Sequence, residues 1–260
     1  CKGFVVIPKV LSIAGSDPSG GAGVQADLKT FSAFGCYGMA AMTALTAQNT
    51  NGVRSIHAVP ARFLEEQLEC IFEDVPPDAV KIGMVGDAQS IAALAAVLER
   101  YNACNIVLDP VMVATSGDQL IDDDAVDALK TYLMPLSAVM TPNMREAELL
   151  GSTDAQELLE LGSKAVLVKG GHGDGDECTD ILATEDGVKT FSAARVNTRN
   201  THGTGCTLSS AIACGLARGQ KLPEAVKNAK DYITNAIQHA DILDVGQGAG
   251  PVHHFWERWS

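Results

Sequence analysis

Positive charge is scarce in this chain. Lys and Arg number 19 against 32 Asp and Glu, which leaves a formal net charge of −13 over 260 residues. A surface that acidic repels phosphate backbones and excludes non-specific nucleic-acid binding as a role. A nucleotide substrate stays open, because local amides, a few cations and a metal ion offset the charge at one site. Long apolar runs are missing too. None approaches the roughly 18 residues that a membrane span needs. Residues 4–14 are apolar but short, are broken by Pro8 and Lys9, and precede no small-residue cleavage site, so they read as a strand and not as a signal peptide. The seven cysteines, at 1, 36, 70, 104, 178, 206 and 214, form no CxxC pair. Neither a disulfide framework nor a zinc site has the spacing it needs, and free thiols in a reducing cytosol are expected. His253 and His254 are adjacent and do not share a helix face. No solenoid repeat and no low-complexity linker divides the chain. A single domain over 1–260 is expected, with no room for a fused second one.

What is present is an alternation of strand-like and helix-like segments. Strands are predicted at 5–14, 37–46, 79–83, 105–108, 137–141 and 164–169. Several are continuous apolar runs, such as Ile106-Val107-Leu108 and Ala165-Val166-Leu167-Val168. Runs of that kind belong to parallel strands buried on both faces. Apolar residues at helical spacing predict helices at 22–34, 60–73, 88–100, 203–218 and 223–239, with Pro223 in the first turn of the last. Asp186-Gly187 between the runs 178–183 and 188–193 predicts a hairpin. The class is α/β, with helices on both faces of a mostly parallel sheet that ends in an antiparallel hairpin. Ligands of such sheets bind beyond the carboxyl ends of the strands, and the unusual residues cluster in those loops.

Residues 14–23 (AGSDPSGGAG) carry four glycines between a strand and a helix, which lets the backbone approach a ligand. Neither a Gly-Lys-Ser/Thr phosphate loop nor a GxGxxG dinucleotide turn is present there. Gly203-Thr204-Gly205-Cys206 opens the next-to-last helix. Free amides and the helix dipole make that turn an anion site. The same dipole favours a thiolate at Cys206, whereas Cys36, Cys70, Cys104 and Cys214 read as buried structural thiols. Thr141-Pro142-Asn143-Met144-Arg145-Glu146 follows a strand; with Pro142 in the first turn, Asn143 and Glu146 fall three apart on one face, suited to hydrated Mg²⁺. Read alone, Glu146 is better taken as an N-terminal helix carboxylate held by the dipole. Asp109, after the strand 105–108, can orient a metal water or a substrate. Lys169-Gly170-Gly171-His172 brings a cation and glycines to a phosphate. Gln48 offers one acceptor and two donors, which match an aminopyrimidine edge.

Together these segments resemble the ribokinase-like kinases, and within them the hydroxymethylpyrimidine/phosphomethylpyrimidine kinases of thiamine biosynthesis. The resemblance spans nearly the whole chain and is carried by AGSDPSGGAGVQADLKTFSAFG (14–35), TAQNT (46–50), KIGMV (81–85), LDPVMVATSGDQL (108–120), TPNMREAELL (141–150), VKGGH (168–172), NTHGTGCTLSSAIA (200–213) and GPVHHF (250–255). It implies a three-layer α/β/α sandwich and ATP-dependent phosphorylation of 4-amino-5-hydroxymethyl-2-methylpyrimidine, first to the monophosphate and then to the diphosphate. Cys206 is implied as the base, in place of the Asp usual in the wider superfamily, with Gly203 and Gly205 in the anion hole. Gln48, Gly15, Ala22, Asp27, Met84 and Val111 are implied for the pyrimidine. Lys169, Thr204 and Asn143 are implied for ATP, and Glu146 and Asp109 for Mg²⁺. A cytoplasmic homodimer is implied as well, with the segment 47–58 as a lid or an edge contact. The chain departs from the family at Thr115, where Lys is usual; losing that cation bears on the second phosphorylation more than the first. The segment 151–163 is also short, which trims a surface helix. A pyridoxal/pyridoxine kinase of the same superfamily is the alternative. A non-catalytic nucleotide-sensing protein is the rival of another class, opposed by the presence of Cys206, Glu146, Asp109 and Lys169.

Overall fold

The computed structural model describes residues 6–112, 121–171 and 175–259. Thr115 and His172, both singled out above, lie outside the described residues. The chain runs β1 (Lys9–Ala14), α1 (Gly23–Ala33), β2 (Tyr37–Met42), β3 (Ala44–Asn49), β4 (Gly52–Ala58), α2 (Ala61–Asp74), β5 (Ala79–Ile82), α3 (Ala88–Arg100), β6 (Ile106–Leu108), α4 (Asp123–Ala128), β7 (Val139–Met140), α5 (Met144–Leu150), α6 (Ala155–Leu159), β8 (Ala165–Val168), β9 (Glu177–Thr184), β10 (Gly187–Ala194), α7 (Thr204–Ala217) and α8 (Leu222–Gln238). Past Ala128, α4 continues through a π-helical turn, Leu129–Leu133.

Eight strands form one sheet in the order β10-β9-β8-β7-β6-β5-β1-β2. The six from β8 to β2 are parallel, while β9 and β10 run antiparallel at one edge. The two-residue turn Glu185-Asp186 closes the expected hairpin, with Thr184 opposite Gly187. Strand periodicity divides the core into two layers. Leu11, Ile13, Val80, Ile82, Ile106 and Leu108 pack with Leu64 and Leu68 of α2 and Ile91 and Leu94 of α3. The alternate residues Val10, Ala79, Val107 and Leu167 pack with Phe31 of α1, Ile212 of α7 and Val226 of α8. All are buried, and each large aliphatic side chain so placed contributes about 2 kcal/mol. The result is the expected three-layer sandwich. Among the described residues no helix is long and apolar enough to cross a membrane.

The structure corrects several local expectations. Residues 37–46 are not one strand. The chain breaks at Thr43, whose N–H donates to Ala14 O and whose hydroxyl donates to Met84 O (2.6 Å). β3 then leaves the main sheet and pairs with β4 in a separate two-stranded flap, with a bulge between Ala47 and Gln48. Pro142 lies before the helix cap instead of in the first turn: Asn143 is the N-cap of α5, and Glu146 completes a capping box with it. Cys36 and Cys214 are buried as expected, but Cys70 and Cys104 are exposed.

Candidate active site

The loops after β1, β5, β6, β7 and β8 all end on one rim of the sheet because those strands are parallel. There the N-terminus of α7 faces them across a cavity of about 480 Å³, within the usual range for a small-molecule site.

The glycine loop after β1 folds around one carboxylate. Asp17, buried, accepts hydrogen bonds from the N–H and hydroxyl of Ser19 and from the N–H groups of Gly21 and Ala22. His202 Nε2 donates to the same carboxylate at 2.7 Å. Burial works against ionisation, yet the bonds from His202 and Ser19 hold the Asp17 carboxyl down at about 2. This pair joins the loop before α1 to the loop before α7, which are 185 residues apart. The fit between the loops is close: a Cβ on Gly203 would stand 1.8 Å from Gly21 O, and one on Gly21 would stand 2.4 Å from the His202 ring. Asp17→Asn is expected to lower unfolding free energy by roughly 2 kcal/mol near neutral pH. The sign follows from a folded-state value below the ordinary 3.8: the contribution is present above pH about 4 and is lost as pH falls toward 2. Urea unfolding of both proteins at neutral and acid pH checks this, since their stabilities should converge on acidification.

At the α7 end, Gly205 faces a charge cluster. A Cβ there would lie 3.2 Å from Lys169 Nζ and 3.7 Å from Asp109 Oδ2. Lys169 Nζ donates to Asp109 Oδ1 (2.7 Å) and stands 3.9 Å from Glu146 Oε2. Burial opposes charge on Asp109, but Lys169 and Lys81 hold its carboxyl below the usual range. Burial pushes Glu146 up to about 7; Lys169 pulls against this and Asp109 adds to it. Lys169 is shared between the two carboxyl groups, bonded to Asp109 and 3.9 Å from Glu146. Among the described residues no three His, Cys, Asp or Glu side chains converge on a point that could hold a metal. That donor set fits Mg²⁺ arriving on a phosphate chain, which needs one or two protein carboxylates, and does not fit an all-protein metal cage.

Cys206, in the first turn of α7, lines the cavity between these two regions. The expectation of a favoured thiolate is corrected here. Burial pushes the Cys206 thiol up to about 11; Lys81 and the Gly23 N–H favour the thiolate, while Asp27 and Asp109 oppose it. Desolvation, with Asp27 and Asp109, sets the direction.

Gln48, Gly15, Ala22, Met84 and Val111 line the cavity, as do Lys169, Thr204, Asn143, Glu146 and Asp109. Gly15 packs against Met84, whose methyl would lie 2.6 Å from a Cβ there. Gln48 reaches the cavity from the flap, where Thr46 Oγ1 donates to Ser16 O and approaches Gln48 Oε1. Asp27, implied as a substrate group, lies outside the lining. It is wholly buried and accepts from Ser12, Lys81 and Ser210. Sequence reasoning passed over Asp17 and His202, although both lie in quoted segments. It also passed over Lys81, whose signal was available: a lone lysine inside the apolar run Ala79-Val80-Lys81-Ile82. At the far end of the cavity, Leu208, Ile233, Ile237 and Val196 form an apolar wall, beside the ion pair of Lys230 and Asp180 (2.7 Å).

The family model described as phosphomethylpyrimidine kinase matches residues 17–253. The chain belongs to the phosphomethylpyrimidine kinase family. It is 52% identical to the hydroxymethylpyrimidine/phosphomethylpyrimidine kinase of Rhizobium meliloti, over 96% of this chain and 97% of that one. Among solved structures, the phosphomethylpyrimidine kinase of Clostridium difficile is 45% identical with a TM-score of 0.78, over 88% of this chain and 99% of that one. A Bacillus subtilis pyridoxal kinase in an ADP complex is 32% identical with a TM-score of 0.90, over 98% of this chain and 100% of that one. The fold is thus that of the ribokinase-like kinases. Among the described residues, the segments 14–35, 46–50, 81–85, 108–112, 141–150, 168–171 and 200–213 each contribute to the cavity lining.

Proposed function

We propose that this chain is a kinase that moves the γ-phosphoryl of ATP onto the hydroxymethyl oxygen of 4-amino-5-hydroxymethyl-2-methylpyrimidine, and then phosphorylates the monophosphate to the diphosphate in thiamine biosynthesis. One observation carries the reading. A cysteine in the first turn of α7 shares a single cavity with Gln48 and Met84 on one side and with Lys169, Asp109 and Glu146 on the other. In this reading the pyrimidine edge meets Gln48, and the Gly15–Met84 contact fixes the depth of its pocket. The adenosine lies toward the apolar wall of Ile233, Ile237 and Val196. The first amides of α7, with Thr204, and the Lys169 ammonium meet the transferring phosphoryl, where fixed donors act most strongly. Glu146 and Asp109 would hold an Mg²⁺ ion brought with the phosphates, which would supply neutralising charge. Cys206 takes the alcohol proton.

An assay with Mg·ATP and the pyrimidine, read by mass detection of mono- and diphosphate, tests the reading; no product would end it. Gln48→Ala should raise the KM for the pyrimidine while ATP affinity barely changes, and an equal loss of ATP affinity would remove Gln48 from the pyrimidine pocket. The likeness in fold to a pyridoxal kinase favours one second reading, phosphorylation of pyridoxal-type alcohols, which turnover of pyridoxine beside the pyrimidine tests. The same proposal takes 1–260 as one kinase domain, cytoplasmic and homodimeric. The flap β3–β4 stands apart from the main sheet and leaves Leu45 and Ile56 exposed, a suitable contact surface between two copies.

A further inference from the structure

Beneath Cys206 lies a polar cluster that the sandwich has no packing need for. Ser12 of β1 and Lys81 of β5 are paired across the sheet and point to the same face. Asp27 of α1 and Ser210 of α7 come down on them. The Asp27 carboxylate accepts from Ser12 Oγ (2.5 Å), Ser210 Oγ (2.7 Å) and Lys81 Nζ (3.0 Å). All four residues are fully buried. Gly83 leaves space for the ammonium, since a Cβ there would be 2.8 Å from Lys81 Nζ. A buried ion pair of this kind is a poor source of stability, because desolvating both charges offsets most of their attraction. Its orientation suggests another use. Lys81 lines the cavity with Cys206, whereas Asp27 sits behind it.

We propose that Lys81 is a positioning residue for Cys206: its buried charge, fixed by Asp27 and the two serines, makes the sulfur able to take the proton of an alcohol substrate. The proposal rests on the function proposed above. The charged groups that act on the sulfur from the surrounding elements are Lys81 on β5, Asp27 on α1 and Asp109 after β6, while Lys169 after β8 feels the sulfur in turn. In the step served, the hydroxymethyl O–H proton passes to the Cys206 thiolate. The oxygen's electron pair forms the new O–P bond, and the bond from the γ-phosphorus to the β,γ-bridging oxygen breaks, releasing ADP. In the second phosphorylation the nucleophile is a phosphate oxygen that is already anionic, so Lys81 has no base to assist.

The test compares Asp27→Asn with the double variant Asp27→Asn/Lys81→Met, which differ only in the Lys81 charge. Iodoacetamide modification of Cys206 is followed by mass spectrometry at fixed, mildly alkaline pH, and both phosphorylations are measured. One cation at short range shifts an ionisation by about one unit or more. Cys206 modification and the first phosphorylation should therefore both fall at least about tenfold from single to double variant, with the second phosphorylation falling far less. Equal modification rates, or an equal fall in both phosphorylations, would overturn the proposal. The single variant Asp27→Asn should modify faster than wild type, an opposite sign that a merely structural pair would not give. If wild type shows no kinase activity on the pyrimidine, the proposed function fails, while the modification rates still report on Lys81 and Cys206.

Discussion

Replacing Cys206 by alanine is expected to slow phosphorylation of the hydroxymethyl alcohol by about 10²–10⁴-fold, the usual worth of a general base, and to slow phosphorylation of the monophosphate far less. The alcohol is a weak nucleophile until its proton leaves, and the carboxyl groups at the phosphate end of the cavity are already engaged. Asp109 is bonded to Lys169, Thr141 and Ser209, and Glu146 is bonded to the Asn143 N–H. The monophosphate brings its own anionic oxygen. The pH dependence sharpens the prediction. With the thiol pushed up to about 11, only a small fraction is thiolate at neutral pH. The kcat/KM of the first step should then climb about tenfold per pH unit above neutrality, toward that value. Cys206→Ala should abolish the climb. Glu146, pushed up to about 7, sits at the phosphate end and bears on both steps alike. The ratio of first-step to second-step rate therefore isolates the sulfur. A ratio unchanged by Cys206→Ala would mean that the thiol organises the phosphate site and moves no proton.

How much of this was legible before folding depends on the range of the forces involved. β6 and β8 are readable because Ile106-Val107-Leu108 and Ala165-Val166-Leu167-Val168 are apolar throughout, as strands buried on both faces are. α3 is readable from its stripe of Ile91, Leu94 and Leu98. The hairpin is readable from Glu185-Asp186-Gly187 between two strand-like runs; the turn falls on Glu185-Asp186, with Gly187 at positive φ directly after it. The break at Thr43 is not readable, because YGMAAMTALTAQN contains no breaker at that point; the bonds that divide it come from Ala14 and Met84, far along the chain. The Asn143–Glu146 capping box is readable from its spacing, and Pro142 draws the helix start at least two residues ahead of Met144. The pairing of Asp17 with His202 has no local signal at all. The ionisation of Cys206 is the furthest from sequence. The helix dipole is a local property and was visible, but the opposing charges of Asp27 and Asp109 arrive from two other elements.

Gly203→Ala should slow both phosphorylations together, by about 10²-fold or more, whereas Cys206→Ala acts mainly on the first. Gly203 is the N-cap of α7 and has φ +79°, in the left-handed region. Alanine there costs about 1 kcal/mol from conformation alone. The larger cost is steric. The new Cβ would lie 1.8 Å from Gly21 O, 2.9 Å from Gly21 C and 3.3 Å from Ala22 Cα. All three are backbone atoms of the loop that Asp17 holds rigid, so no side chain can swing away. Either that loop or the first turn of α7 must move. Movement of either displaces the amides that meet the transferring phosphoryl, the Asp17–His202 bond and the Cys206 sulfur at once. A misplacement of this size costs about 10²-fold in rate even when the chemical groups survive, and it acts on both steps because both transfer phosphoryl at the same turn. Stability should fall as well, by roughly 2–4 kcal/mol. Gly219→Ala separates the two costs. Gly219 also has positive φ (+78°), yet a Cβ there meets nothing within 4 Å. That variant should lose only about 1 kcal/mol in urea unfolding and keep both activities. If Gly203→Ala behaved no worse than Gly219→Ala, the contact between the two glycine loops would not be what holds the phosphoryl site in shape.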